Sequence, residues 1–358
     1  MATQQVLLSP AELAYLRTSL CLQPPIRPDG RSPTQFRPLT AETGILPGTN
    51  GSARVCFSDG TEAIVGVKAE IEKSSASLEG TAGDAAAQDE LKEKGSRGDW
   101  IELAVEIPGT RDDDAATVFL GEMLREALLA DGEFAKKLYI NSRFHWRLYL
   151  DVLLISPALS YPLPLLSLTT HLALLATRLP RLKSEGDEDP MFDDDWEASE
   201  FLYPRQQKSS SSSTTSRPPI TLLVVTIGEN IIFDPSKEEL AVAETALAVS
   251  VAEAATSQEG RDLKLLSVRT VDPPSRLTPP GVPNTMNVAT NGNTGAGVQA
   301  ASATQKVKQE EARETEGVWR APLGGTKFAV ISEIIEAVLR KGGVAEEVLD
   351  GLDGVEVS

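Results

Sequence analysis

The side chains of this 358-residue chain that could do chemistry are few. Cys21 and Cys56 are its only cysteines, and His145 and His171 its only histidines. Two thiols cannot build a disulfide framework or a zinc site, and two histidines exclude a His-rich metal centre, so no metal and no cofactor are expected. The low thiol count suits a reducing compartment. Carboxylates remain. Asp234, with Glu238 and Glu239 close behind it, could manage a metal ion or a proton, although a solvated turn is the simpler reading of the two glutamates. Arg27 and Arg31 bracket Pro28-Asp29-Gly30, a common turn whose arginines can simply face solvent. The stretch Leu159–Leu165 is a poor anion site: it has no glycine and no arginine, and Pro162 and Pro164 remove backbone donors. Arg143, His145, Trp146 and Arg147 mix basic and aromatic groups, a combination that can suit single-stranded nucleic acid. Strand alternation, however, sends Arg143 and His145 to one face and Trp146 to the other, where a tryptophan is more often core.

The elements that must position these groups follow from periodicity. A short helix is predicted over 10–20, with Leu13, Leu16 and Leu20 on one face. Ala53–Phe57 and Glu62–Lys68 flank Ser58-Asp59-Gly60-Thr61, a good hairpin signal. Trp100–Ile107 alternates as a strand, and Asp112–Asp114 then open a helix of about 16 residues whose first turn suits the helix dipole. Arg143–Ile155 reads as a long strand, buried from Leu148 on, and a second helix is predicted over 165–179. Ile220–Ile227 and Ile231–Phe233 read as strands across a tight turn. Ala241–Val251 and Leu265–Thr270 continue the pattern around a variable loop at 252–262. A last helix runs over 326–341 and ends at Gly342-Gly343. No apolar run approaches the roughly 20 residues a bilayer span needs, and no signal peptide is visible, so a soluble intracellular protein is expected.

Charge is unusual. Lys and Arg number 34 against 52 acids, a net charge of −18. A protein that grips RNA alone normally carries a basic surface. Two peripheral segments hold most of the excess. Nine acids against four bases in 183–217, and five acids with no base in 342–358, account for ten of the eighteen charges, so the remaining body is much nearer neutral. Low apolar content makes 72–98, 183–217 and 272–317 read as flexible or disordered insertions.

Several segments, in order, resemble RNase PH-like proteins: Arg27–Arg31, Phe36-Arg37-Pro38, Asn50–Val55, Asp59–Lys68, Pro108–Asp113, Trp146–Ile155, and Ile232–Pro235 followed by Glu238-Glu239. The resemblance extends over most of 10–341 outside the insertions and is strongest to the ring subunits of the eukaryotic RNA exosome. It implies an α+β fold of RNase PH-like (ribosomal protein S5 domain 2-like) type, with mixed sheets and central helices, interrupted by disordered insertions. The domain map it implies is an N-terminal helical arm (1–26), a first part (27–182, with 72–98 inserted), the acidic and Ser-rich insertion (183–217), a second part (218–341, with 272–317 inserted) and an acidic tail (342–358).

The resemblance also implies partners: other RNase PH-like subunits in a hexameric ring, RNA-binding cap subunits, RNA threading the ring channel, and no membrane. The implied compartments are nucleus and nucleolus, also cytoplasm. Active members of the family place a Gly-rich loop ending in Ser/Thr-Arg before the second central helix, where this chain has Leu159–Leu165. They also carry a second Asp six positions after the first, where this chain has Leu240. Asp234, Glu238 and Glu239 therefore form a degenerate acidic site, and the expectation is no catalytic residue of its own. Arg27, Asp29, Gly30 and Arg31 are expected to be structural, tying the N-terminal arm to the domain or a neighbour. Arg111 and Arg125 are the candidates for RNA contact. The reading is a non-catalytic ring subunit supporting 3′-to-5′ RNA processing and degradation, rRNA maturation included. Its alternatives are an active phosphate-dependent 3′-to-5′ exoribonuclease, or an adaptor acting through its insertions.

Overall fold

A capping box starts the chain's first helix, α1 (Pro10–Leu20): the Ser9 hydroxyl accepts from the Glu12 amide, and the Glu12 carboxylate accepts from the Ser9 amide at 2.7 Å. The computed structural model describes residues 8–74, 98–204, 217–275 and 318–357, apart from 112, 157, 158, 185, 187, 258, 259, 274, 323 and 324.

A first sheet follows, built from β1 (Leu39–Thr43), β2 (Gly51–Phe57), β3 (Glu62–Lys73), β4 (Ile101–Glu106) and β5 (Phe144–Leu154) in the order β1-β2-β3-β5-β4. All its pairs are antiparallel except β4–β5. A parallel pair needs a long crossover, and α2 (Ala115–Leu129) with α3 (Glu133–Leu138) supplies it. The β2–β3 turn closes as Asp-Gly turns do: the Thr61 amide donates to Asp59 Oδ1, and Gly60 takes φ +85°.

Next come α4 (Leu163–Leu175), β6 (Arg178–Leu179), a 3₁₀ turn at Trp196–Ala198 and β7 (Glu200–Phe201). The second sheet is wholly antiparallel and holds β8 (Ile220–Ile227), β9 (Asn230–Phe233), β10 (Thr245–Ser257) and β11 (Gly260–Val271) in the order β11-β10-β8-β9, with α5 (Lys237–Leu240) between β9 and β10. The chain closes with α6 (Phe328–Leu339) and α7 (Val344–Asp353). The architecture is α+β, with mixed sheets around central helices.

Helix α4 joins the two halves. It packs on β2 and β3 of the first sheet and on β8 of the second, and all of its residues are buried. A helix that is apolar all round belongs in a core, and each of its buried leucines contributes about 1.5–3 kcal/mol. Its hydroxyl groups are all engaged: those of Thr169 and Thr170 donate to the carbonyls four residues back, and Ser167 Oγ accepts from the Thr221 amide of β8. Gly51 is required at the start of β2, because a Cβ there would lie 2.6 Å from Thr177 Cα.

The structure corrects several expectations. Residues 252–257 and 260–262, expected in a variable loop, belong to β10 and β11, which stay paired out to Ser257 and Gly260. The second central helix spans Leu163–Leu175, not 165–179, since Arg178 and Leu179 turn away to pair with β7. The acidic tail expected at 342–358 is largely α7, whose Val344, Ala345, Val348, Leu349 and Leu352 are buried while Glu346, Asp350 and Asp353 bond to Arg261. Part of the insertion expected at 183–217 is also folded: Leu202 and Tyr203 are buried, and Phe192 lies against Trp146. Residues 75–97, 205–216 and 276–317, where the rest of the expected insertions fall, lie outside the described residues.

Candidate functional site

The Arg27–Arg31 turn, the strand end at Asp234 and helix α5 meet in one cluster of buried charge. Ser236 caps α5 through a capping box, its hydroxyl accepting from the Glu239 amide while Glu239 Oε2 accepts from the Ser236 amide at 2.8 Å. That box turns Glu239 inward, and its side chain is fully buried. Arg27, equally buried, grips it with two hydrogen bonds: Nε to Oε1 at 2.7 Å and Nη2 to Oε2 at 2.8 Å. The remaining guanidinium donors reach the carbonyls of Ser32, Gln35 and Asp234. A planar fork with five donors is suited to such a socket.

Asp234 sits at the centre, in the left-handed backbone region at φ +47°, a conformation Asp tolerates better than most residues. Its carbonyl accepts from both Arg27 and Arg31 at 3.0 Å. Its carboxylate has no free face. Oδ1 accepts from Arg37 Nη2 at 2.6 Å, while Oδ2 accepts from Arg31 Nη1 at 2.8 Å and from the amide and Nε of Arg37 at 2.9 Å. Arg37 also donates to Asp59 at 2.5 Å and lies 4.4 Å over the Phe57 ring, and Arg31 donates to Asp29 at 2.6 Å. Three guanidinium groups thus answer four carboxylates.

The electrostatics follow from those partners. Burial works against the charge on Arg37, but the hydrogen bonds and charge of Asp234 and Asp59 outweigh it and raise its pKa. Burial pushes Asp59 up, yet the Thr61 amide and Arg37 hold its carboxyl below the usual range; Asp29 is held down in the same way by Arg31 and Arg27.

The neighbouring positions offer little chemistry. Leu240 is buried. Pro162 caps α4 without a side-chain hydrogen bond, Pro164 stands in its first turn, and Leu163–Leu166 are buried. Burial pushes the Tyr161 hydroxyl up to about 12. Among the described residues no group of three His, Cys, Asp or Glu side chains could hold a metal, and no helix is long and apolar enough to cross a membrane.

The expected site residues therefore divide. Arg27, Asp29, Arg31, Asp234 and Glu239 come together, with Gly30 at φ +76° turning the chain between them. Glu239 is no part of a solvated turn, contrary to expectation, because the capping box points it at Arg27. Glu238 is not among the contacts of the cluster. Arg111 stands apart and exposed, paired with Asp113. Arg125, about 15 Å along α2 from its start at Ala115 at 1.5 Å per residue, donates to the Gly98 carbonyl at 2.9 Å and lines a cleft of about 560 Å³ with Trp100, His145 and Arg147. Strand alternation was expected to separate His145 from a core Trp146, and both are buried: His145 stacks on Trp100 at 4.4 Å, and Trp146 meets the Phe192 ring at a tilt, centroids 5.0 Å apart. Arg37 and Asp59 were not singled out as site residues. Both lie in segments that carry the family resemblance, which was the one signal available.

This fold and arrangement define a chain of the RNase PH class. The 3′ exoribonuclease family, domain 1, matches residues 35–180, and the chain belongs to that family. It is 32% identical over 244 residues to the exosome complex component RRP42 of Saccharomyces cerevisiae, covering 68% of this chain and 81% of that one. It is likewise 32% identical over 261 residues to the exosome complex component rrp42 of Schizosaccharomyces pombe, covering 68% and 78%. Among solved structures, a chain of the Archaeoglobus fulgidus exosome with RNA bound to the active site aligns over 73% of this chain and 86% of its own, with 17% identity and a TM-score of 0.49.

Proposed function

We propose that the chain is a non-catalytic subunit of an exosome ring of RNase PH-like chains, supporting 3′-to-5′ RNA processing and degradation, rRNA maturation included. Its partners on this reading are the neighbouring RNase PH-like subunits of a six-membered ring and RNA-binding cap subunits, with RNA passing through the channel. Nucleus, nucleolus and cytoplasm are its compartments. Membership is supported by the two relatives, both exosome complex components. The inert reading rests on one observation above the others: each oxygen of the Asp234 carboxylate is already taken by Arg31 and Arg37, with a buried leucine at position 240. Such a carboxylate has little left for a metal ion or a proton.

The test has two arms. The purified chain, given inorganic phosphate, magnesium and a 3′-tailed RNA, should release no nucleoside diphosphate. Co-expressed with RNase PH-like neighbours, it should elute in a ring-sized assembly. Diphosphate release that an Asp234→Asn variant abolishes would overturn the inert reading, and a chain that stays monomeric beside every neighbour would overturn ring membership.

A further inference from the structure

Beyond ring membership, the excursion between β6 and β7 carries a surface of its own. Residues 181–183 lie back against 191–193: the Lys183 amide donates to the Met191 carbonyl at 2.7 Å, the Asp193 amide donates to the Arg181 carbonyl at 2.9 Å, and Leu182 bridges Phe192. The arm so formed lies on β5 through Phe192 and Trp146. Between it and the α3–β5 connection opens a cleft of about 320 Å³, lined by Tyr139, Trp146, Leu182, Phe192 and Phe201. Two of those walls stand exposed, Tyr139 at 56% and Leu182 at 41%. An aromatic-walled cleft of this size fits one large apolar side chain and no folded element.

The charges around the cleft choose the occupant. Its cations are already answered: Arg181 lies 3.8 Å from Glu200, Lys183 3.0 Å from Asp193 and Arg143 3.0 Å from Asp189. Lys137 stands over the Tyr203 ring at 4.6 Å, within the field of Glu133 and Asp131. The anions are in excess. Four carboxylates, Asp193, Asp194, Asp195 and Glu197, lie on the short connection between the lining positions Phe192 and Glu200. The Asn141 side chain, next in sequence to the lining residue Ile140, donates to the Glu188 carbonyl at 3.0 Å. Among the described residues no lysine or arginine lies within 4 Å of the carboxylates of Glu188, Asp194 or Glu197, and all three residues are exposed.

We propose that this cleft docks an extended segment of a partner protein, one bulky apolar or aromatic side chain entering between Tyr139 and Leu182 and flanking lysines or arginines meeting the acidic rim. Aromatic anchors seated in a pocket carry most of the affinity of such contacts, while rim charges govern selectivity and salt dependence. A nucleic-acid strand would bring its phosphates against the same carboxylates and is disfavoured for that reason.

The full-length chain should be titrated, by fluorescence anisotropy at low salt, into a labelled KRFLKR peptide, its charge-reversed counterpart DEFLED and a labelled hexauridylate. KRFLKR should bind at least tenfold more tightly than either of the others. Tyr139→Ser with Leu182→Ser should weaken it tenfold or more. Asp194→Asn with Glu197→Gln, two exposed changes that leave the walls intact, should weaken it and flatten its salt dependence. Equal binding of KRFLKR and DEFLED, preference for hexauridylate, absence of peptide binding, or full binding by the charge variant would each overturn the proposal.

Discussion

Arg27 and Glu239 stand 212 positions apart in the chain and meet through two hydrogen bonds of 2.7 and 2.8 Å, with both side chains fully removed from solvent. Removing one partner strands the other as an uncompensated buried charge, which typically costs about 3–5 kcal/mol. Arg27→Ala and Glu239→Gln should each lower the urea midpoint by an amount of that order, with little change in slope. Arg27→Lys keeps the charge but not the fork, and should recover only a small part of the loss. Stabilities near that of the native chain would mean that the N-terminal arm is not held by this pair.

Asp234 tests the same cluster from its centre. Asp234→Asn keeps a residue at ease at φ +47° but withdraws the negative charge from between Arg31 and Arg37, and should cost about 3 kcal/mol. Asp234→Ala loses that backbone tolerance as well and should cost at least as much. Paired thermal melts rank the two. An unaltered melting temperature in the Asn variant would show that the carboxylate is not needed for folding.

His171 links stability to pH. Its Nδ1 donates to the Pro218 carbonyl at 2.8 Å, Nε2 is buried without a partner, and burial lowers its pKa to about 4. In the unfolded chain the group titrates near 6.5. The unfolded state therefore takes up the proton first, so the stabilisation is complete above about 6.5 and drains away as pH falls toward 4, about 3 kcal/mol in all. His171→Asn keeps a donor for Pro218 without a titrating ring, and should flatten the decline between pH 6.5 and 4 in urea titrations. The depressed Asp59 and Asp29 act further down: their contribution is present above about pH 4 and disappears as pH drops through their lower folded values. A slope unchanged by His171→Asn would rule the histidine out.

Helix α7 should behave as part of the folded body. Besides its buried apolar stripe, it sends Asp350 and Asp353 to Arg261, which also holds the buried Glu253 at 2.9 Å, and Asp353 to Arg217. Stopping the chain after Gly343 would expose that stripe's seat and take from Arg217 and Arg261 the carboxylates of Asp350 and Asp353. The truncated protein should melt several degrees lower and lose protease resistance in the β10–β11 hairpin, whereas removal of a solvated tail would change neither.

The amino-acid sequence by itself determined the elements and the class. Ile220–Ile227 reads as a buried strand and is buried throughout, whereas Arg143–Ile155, expected to be buried from Leu148 on, alternates instead, with Asp151 and Leu153 exposed. The turn at Asp59-Gly60 follows from local backbone preference, and the ordered segments from Arg27 to Glu239 carried the family. The prolines at 162 and 164 and the leucine at 240 already spoke against an anion or metal site, since they lack the groups such chemistry requires. Tertiary structure alone decided where the charges went. Nothing local tells Arg27 that its carboxylate lies 212 residues away, or that a capping serine at 236 turns Glu239 inward, so the two glutamates read as a solvated turn. The same holds for α7: net charge made its segment a tail, whereas the positions of Val344, Val348, Leu349 and Leu352 on one face made it a helix once α6 and Arg261 of β11 offered it partners. Hydrogen-bond partners across two hundred residues are chosen by the packed fold, because only burial makes an unpaired charge costly enough to select one.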